Sequence, residues 1–120
     1  MKNIAICEHK QEHESVAERA QKMVLASQDI EQICCIFKML ADPTRLKIVF
    51  ALLQGEMCVY HLTEACKTTQ SAISHQLRIL RDNKIVKAKR LGQSVEYAIA
   101  DDHVREMIGI GIAHANCSVE

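Results

Sequence analysis

The last twenty residues of the chain contain four side chains of the types that bind metal ions. Asp101, His103, His114 and Cys117 supply a carboxylate, two imidazoles and a thiol, all of which are zinc ligands in proteins. Eleven residues separate the two histidines, which in a helix is close to three full turns, so both rings leave the same side. The spacing also places them roughly 16 Å apart along the axis, whereas zinc holds its ligands at about 2.0–2.3 Å. Either the two ends act separately, or another chain completes each of them.

The composition is typical of one folded domain. The 120 residues allow one modest core, and the shares of hydrophobic residues (48%) and charged residues (25%) are those of a soluble folded protein. No apolar run approaches the ~20 residues of a membrane span, and the opening MKNIAICEHK reaches charge too early for a signal peptide. We therefore expect a cytoplasmic protein that does not bind membranes. Because only four residues are aromatic, the core must be aliphatic.

Basic residues are concentrated in one stretch of a chain whose net charge is zero. Residues 67–90 contain seven basic residues and one acidic residue, a net charge of +6, so the rest of the chain sums to −6. A basic stretch of this kind on a neutral protein suggests that one face binds a polyanion.

The spacing of apolar residues predicts helices in the first half of the chain. A short polar arm at residues 1–12 precedes predicted helices at about 13–26 and 28–40, and Phe37 lies on the expected buried side of the second of these. The segment ADPTRLKIVFALLQG predicts a third helix, in which Asp42 can cap the first turn and a glycine can close the last.

The second half of the chain predicts a helix-turn-helix followed by a wing. CVYHLTEACKTTQSAISHQLRILRDN indicates a short helix, a polar break near residues 67–70 and a longer helix. IVKAKRLGQSVEYAIA alternates apolar and polar residues around a Gly-Gln turn, which predicts a β-hairpin. A closing helix capped by Asp101 or Asp102 follows. The expected fold is mainly α with a small β-hairpin, a winged helix-turn-helix over residues 13–120.

The longer helix of this motif carries polar residues suited to DNA. Ile73, Leu77 and Leu80 recur at helical spacing and should face the core. The side chains directed outward are then Ser71, Ser74, His75, Gln76 and Arg78. Short polar side chains can approach base edges and phosphates, and Gln76 could bind an adenine through both amide atoms.

The predicted wing adds basic residues to this face. Lys87, Lys89 and Arg90 suit contacts with phosphates, which are sensitive to salt and independent of base sequence. Because the motif, the wing and the charge coincide, DNA binding is favoured over a helical hairpin with a solvated charged surface.

The segments LADPTRLKIVFALL, MCVYHL and SAISHQLRIL, together with the hairpin, resemble the ArsR/SmtB family of winged-helix, metal-responsive repressors. The resemblance runs from about Leu40 to the end of the chain and is strongest to the zinc, cadmium and lead sensors. It implies a homodimer that occupies palindromic operator DNA and releases it when the metal inducer binds. It also implies that the closing helices of the two subunits lie antiparallel at the interface.

The resemblance assigns a role to the four residues near the end of the chain. The family's carboxy-terminal site uses an acid, a histidine two residues later, a second histidine eleven further on and an acid three beyond that. Asp101, His103 and His114 occupy the first three positions, but Cys117 stands where the zinc sensors usually have Glu. The choice among zinc, cadmium and lead therefore stays open. Taken singly, His103 also fits a surface residue and Cys117 a small hydrophobic residue at a frayed helix end.

A second metal site is implied between the arm and the helix that begins CVYHL. Cys58 and Cys7 match the family's pattern there, with His9 or His13 as the companion of Cys7. Together with His61, Cys7, His9 and Cys58 could form a thiolate–imidazole set, which suits zinc or cadmium. Tyr60 stands where the cadmium and lead sensors have another Cys. The alternative is an unstructured arm beside a half-buried Cys58.

Two other functions use these residues differently. Six cysteines in a cytoplasmic chain are more typical of metal or redox chemistry than of structural disulfides, so a thiol-redox repressor on the same fold is the alternative. It needs two cysteines in reach of each other, and Cys117 has no evident partner cysteine. An enzyme is not expected, because the sequence has no glycine-rich phosphate loop, nucleophile elbow or paired carboxylates.

Overall fold

The computed structural model of the protein describes residues 10–26 and 30–117, with side chains at 15–24 and 30–117, and this part folds into six helices and one antiparallel hairpin. The elements in chain order are α1 (Lys10–Ala26), α2 (Ile30–Leu40), α3 (Pro43–Leu52), α4 (Val59–Cys66), α5 (Gln70–Asp82), β1 (Val86–Leu91), β2 (Ser94–Ile99) and α6 (Asp102–Ala115). The predicted class, mainly α with a small hairpin, is confirmed. Within the described residues, no helix is long and apolar enough to cross a membrane.

The chain divides into two compact units, residues 1–35 and 36–120. In the first unit α1 begins at Lys10, three residues before the predicted start, because its polar first turn has no apolar spacing from which a helix could be predicted. Residues 1–9 of the expected arm lie outside the described part.

The core of the second unit is aliphatic, as the composition predicts. Leu52 of α3, Leu62 of α4 and Ile73 of α5 are almost completely buried, and no aromatic side chain among the described residues is fully buried. Two prominent apolar residues remain outside this core: Phe37 of α2 is 57% exposed and Ile110 of α6 is 69% exposed. The expectation that Phe37 is buried is therefore wrong for the single chain, because its side chain lines a surface groove and is not part of the closed core.

Local capping interactions fix where α3 and α5 begin. Asp42 caps α3 by accepting a hydrogen bond from the Arg45 backbone N–H at 3.0 Å, with Pro43 at the first helical position. Thr69 caps α5 in the same way, accepting from the Ala72 N–H at 3.1 Å. Between them α4 ends at Lys67, whose φ of 54° is in the left-handed region. This residue turns the chain sharply enough to start α5 three residues later.

The predicted hairpin follows α5, with Val86 opposite Ile99 and a two-residue loop in which Gly92 has a φ of 65°. That positive φ is the conformation a tight hairpin turn requires. One further pairing was not predicted: Met57, just before α4, exchanges backbone hydrogen bonds of 3.0 and 2.8 Å with Tyr97 of β2. The wing is thereby attached to the start of the helix-turn-helix.

Replacing Asp42 with alanine should lower the free energy of unfolding by about 1 kcal/mol, because the α3 cap loses its acceptor. Asp42→Asn keeps an acceptor oxygen and should change stability by only a few tenths of that amount. Urea denaturation at one fixed protein concentration measures both variants. Equal losses in both would show that the capping bond does not stabilise α3.

Candidate functional site

The first pair of candidate metal ligands lies at the beginning of α6. Asp101 is the N-cap of the helix, and its Oδ1 accepts a hydrogen bond from the Val104 N–H at 3.0 Å. The same oxygen lies 3.7 Å from Nδ1 of His103, whose side chain is 91% exposed. The capping geometry therefore holds a carboxylate and an accessible imidazole side by side at the start of the helix.

The second pair lies at the other end of α6. His114 is in the last turn of α6. Cys117 lies two residues after Ala115, the final helical residue, and its backbone N–H donates a hydrogen bond to the His114 carbonyl at 3.1 Å. Both side chains are exposed. Because α6 runs unbroken between the pairs, the two histidines are separated by roughly 16 Å along the axis.

No group of three or more potential metal ligands lies together within residues described in this single chain. Each end of α6 thus contributes one pair of donors, whereas a structural or sensing zinc ion takes four ligands. The remaining donors must come from outside the chain described here if either pair binds an ion.

Cys58 and His61 form another close pair, at the start of α4. The Sγ of Cys58, the N-cap residue, is 3.5 Å from Nδ1 of His61, and Cys58 makes no capping hydrogen bond with its side chain. The neighbouring Tyr60 ring contacts His61 edge-on, with 5.4 Å between centroids. A hydrogen bond from Tyr60 to Glu64, and then the Glu64 charge, raise the pKa of the Tyr60 hydroxyl. Cys7 and His9, the other members of the expected second site, lie outside the described residues.

The remaining described cysteines differ in accessibility. Cys34 and Cys35 of α2 are exposed, whereas Cys66 is buried at the end of α4. Burial raises the pKa of the Cys66 thiol, and the positive charge of Lys47 lowers it by a smaller amount. Cys66 is therefore a packing residue with a thiol that resists ionisation.

The candidate DNA-binding helix, α5, presents the expected two sides. Ile73, Leu77 and Leu80 are buried. The exposed polar residues on its other side are Ser71, Ser74, His75 and Arg78. Gln76 differs from these four, because it is half-buried and its Oε1 accepts a hydrogen bond from Nε of Arg45 at 2.9 Å. Sequence reasoning missed Arg45, because no local spacing indicates a contact between residues 31 positions apart.

The wing places its basic residues in the solvent. Lys87, Lys89 and Arg90 are exposed on β1. Alternation along the strand puts Lys87 and Lys89 on one face and Arg90 on the other, with Lys89 directly opposite Glu96 of β2. The hairpin therefore offers positive charge on both faces.

An apolar groove of about 440 Å³ lies between α6 and the segment formed by the end of α2 and α3. Phe37 and Leu46 line one side, and Ile112, Ala115 and Asn116 line the other. Two residues that line the groove, Ala115 and Asn116, directly follow His114 in the chain. The groove therefore lies between the carboxy-terminal pair of candidate ligands and the end of α2.

Comparison with known proteins gives matches that extend beyond the helix-turn-helix. The sequence model of the family described as "Bacterial regulatory protein, arsR family" matches residues 42–88. The chain is 39% identical over 102 residues to the transcriptional repressor SmtB homolog of Synechocystis sp.. The aligned region covers 85% of this chain and 77% of that protein. The chain is 34% identical over 110 residues to the cadmium resistance transcriptional regulatory protein CadC homolog of Staphylococcus aureus, covering 91% and 90% respectively.

Solved structures agree with this result. The homodimeric winged helix-turn-helix DNA-binding domain of Mb0332 from Mycobacterium bovis matches with a TM-score of 0.69 at 29% identity, covering 72% of this chain and 81% of that chain. The order of helices and the wing are thus those of a known DNA-binding fold.

The burial of Cys66 predicts a difference in thiol reactivity. In the native protein at pH 8, iodoacetamide should modify Cys66 roughly ten times more slowly than Cys34, because the thiolate is the reactive form and Cys66 is both buried and harder to ionise. Peptide mass spectrometry after timed quenching measures the two rates. In urea the rates should converge, and equal rates in the native protein would contradict the assignment of Cys66 to the core.

Proposed function

Because the chain belongs to the arsR family of bacterial regulatory proteins, we propose that it is a metal-responsive transcriptional repressor whose homodimer binds operator DNA and releases it on binding zinc, cadmium or lead. As a member of this family it is a DNA-binding regulator of transcription and not an enzyme. The observation that carries the proposal is the separation of four candidate ligands into two pairs at opposite ends of α6.

The spacing of the donor atoms supports metal binding at the first pair. Two ligands held at about 2.0–2.2 Å from one tetrahedral zinc ion lie roughly 3.4 Å apart. The Asp101 oxygen and the His103 nitrogen are already 3.7 Å apart. A small rotation of the exposed His103 ring is therefore sufficient to bring both atoms to ligand distance.

A second copy of the chain supplies the missing donors most simply. If two α6 helices lie antiparallel, Asp101 and His103 of one subunit meet the partner's His114 and Cys117, giving four ligands at each end. Exposed apolar residues support such a contact: Phe37 on α2 and Ile110 on α6 lack cover in the described chain. In this arrangement metal binding and subunit contact share one surface.

The DNA-binding surface is proposed to consist of the exposed side of α5 and the wing. Ser71, Ser74, His75, Gln76 and Arg78 would reach the major groove or its phosphates. Lys87, Lys89 and Arg90 would neutralise phosphates beside it, so the affinity should fall steeply with salt.

Release of DNA follows from a change in the dimer. The two ligand pairs that meet at each end of the interface would hold one divalent ion there, and that ion would supply bonds that tie the two chains together at that end. Asp101 and His103 fix the beginning of one helix, while His114 and Cys117 fix the end of the other, so the angle between the subunits is set by the ligand pairs. A coupling of about 1–3 kcal/mol per site, or roughly 5- to 150-fold in DNA affinity, is sufficient for regulation. Histidines that bind metal usually donate their second ring N–H to another group. Hydrogen bonds of this kind from His103 and His114 would transmit the effect of metal binding to neighbouring residues.

The shared site can be tested with complementary variants. One variant lacks the first ligand pair (Asp101→Ala, His103→Ala), and the other lacks the second (His114→Ala, Cys117→Ala). Each homodimer should lose both terminal sites, because every site then lacks half of its ligands. A mixed dimer should recover one complete site, because one end of the interface combines all the intact residues. Tetrahedral cobalt absorption counts the sites, in a Cys7→Ser background that excludes binding by the arm.

A mixed dimer that binds no cobalt at this interface would refute the shared site. The release of operator DNA by a single variant, His114→Ala, distinguishes the metal sensor from the thiol-redox alternative. This variant loses a metal ligand and no thiol, so a redox repressor would keep its response to its inducer. We expect the response to zinc to be lost in this variant, with operator binding retained in the absence of metal.

The contact between Cys58 and His61 supports a second site in the same protein. A sulfur and a nitrogen bound to one tetrahedral zinc ion lie roughly 3.6 Å apart, close to the 3.5 Å observed between these two side chains. Together with Cys7 and His9 of the arm, they would form a thiolate–imidazole set for zinc or cadmium.

Cadmium titration tests this second site. The thiolate charge-transfer absorption should fall in Cys58→Ser and in Cys7→Ser, because each variant removes one sulfur ligand. Cys66→Ala is the matched control and should leave the absorption unchanged, since Cys66 is buried in the core. Unchanged intensity in Cys58→Ser and Cys7→Ser would remove the second site.

A further inference from the structure

We propose that Arg45 determines base specificity by fixing which atoms of Gln76 are offered to the operator. The inference rests on the proposed use of α5 in the major groove and adds a residue of α3 to the recognition of bases. It concerns the hydrogen bond between Arg45 Nε and Gln76 Oε1, which joins residues 31 positions apart at 2.9 Å.

The orientation of the Gln76 amide follows from the chemistry of its partner. The Nε of arginine carries a hydrogen and can only donate, so the Gln76 atom facing it must be the oxygen and not the nitrogen. Oxygen and nitrogen of an amide are otherwise hard to distinguish, and here the hydrogen-bond partner decides between them. The half-buried Gln76 therefore directs its acceptor towards α3.

Arg45 is itself held in place by several contacts. Its backbone N–H donates to the Asp42 carboxylate at 3.0 Å, which anchors the residue in the first turn of α3. Its Nη1 lies 3.5 Å from the carbonyl oxygen of Met39 and 3.9 Å from the Met39 sulfur. The guanidinium thus lies between the end of α2 and α5, and these contacts hold it where it keeps the Gln76 oxygen directed towards α3.

This arrangement changes what Gln76 can recognise. Binding adenine through both amide atoms requires the oxygen to accept from the base N6 amino group while the nitrogen donates to N7. An amide oxygen can accept two hydrogen bonds, but Arg45 holds this oxygen towards α3, so the atoms that Gln76 directs to its other side are the two N–H groups of the amide. These match guanine, which presents two acceptors, N7 and O6, in the major groove. We therefore expect Gln76 to select guanine at one position of each half-site, in contrast to the adenine contact suggested by the sequence alone.

The test compares base preferences by selecting operators from a randomised DNA library with metal-free protein. Wild type should favour guanine at the Gln76 position. In Arg45→Met, which keeps an unbranched apolar side chain without the guanidinium donors, the amide is released and the preference at that position should shift towards adenine by roughly tenfold. Gln76→Met should abolish discrimination at that position, and the double variant should behave like Gln76→Met.

Lys89→Ala is the comparison for a phosphate contact. It should weaken binding to all sequences alike and reduce the salt dependence, without altering any single base position. Thermal unfolding of each variant checks the fold, and the wild-type choice between guanine and adenine at the Gln76 position keeps the test informative if Arg45→Met is unstable.

The outcomes distinguish this inference from the proposed function. If wild type selects an operator and zinc releases it, but Arg45→Met and Gln76→Met leave base preference unchanged, the role of Arg45 is refuted and the repressor function stands. A wild-type preference for adenine at the Gln76 position would also refute it. If wild type selects no operator, both proposals fail together.

Discussion

Burial of one side of α5 determines the positions of the other functional elements in the second unit. Ile73, Leu77 and Leu80 are almost completely inaccessible. Rotating the helix would expose their apolar surface to water, which costs a free energy of about 25 cal/mol for each Å². The exposed polar residues are therefore held outward by packing on the opposite side. The chain then continues directly into Ile85 and Val86, which are also buried, and this ties the base of the wing to the same core. The angle between α5 and the wing is thus a property of the core rather than of the exposed polar residues.

α6 imposes a different constraint, which is its length. A straight helix cannot bring its two ends together, so the ligand pairs at its ends can be joined only by another chain. In the proposed dimer the sensing sites would therefore lie between subunits and not inside one of them. The same helix also carries the exposed Ile110 and one wall of the apolar groove, so a change in the proposed contact would act on residues that line the groove with α2 and α3.

Most of the fold was predictable because its determinants are local. The Asp42 and Asp101 caps, the break before α5 and the hairpin turn each depend on residues within about four positions, where spacing and side-chain chemistry are sufficient. The features that were missed join distant segments. The Met57–Tyr97 bridge spans forty positions of the chain, and the Arg45–Gln76 hydrogen bond spans 31. No periodicity encodes such contacts. The exposed side of α2 was misread for a related reason, since an apolar face has the same spacing whether its own chain or another covers it.

The sequence predicted which residues are candidate ligands and how they are spaced. The structure adds the distance between Asp101 and His103 and the position of each pair relative to the ends of α6. Asp101 and His103 are adjacent before any ion binds, because the cap of α6 fixes the carboxylate. Cys117, in contrast, lies beyond the last helical residue. The two halves of the proposed shared site therefore differ in how they are held: a helix cap positions the first pair, and the last helical turn with the residues after it positions the second. In the proposed dimer the first pair would need little rearrangement around an ion, so the rate at which a site closes would depend mainly on how the partner's His114 and Cys117 reach it.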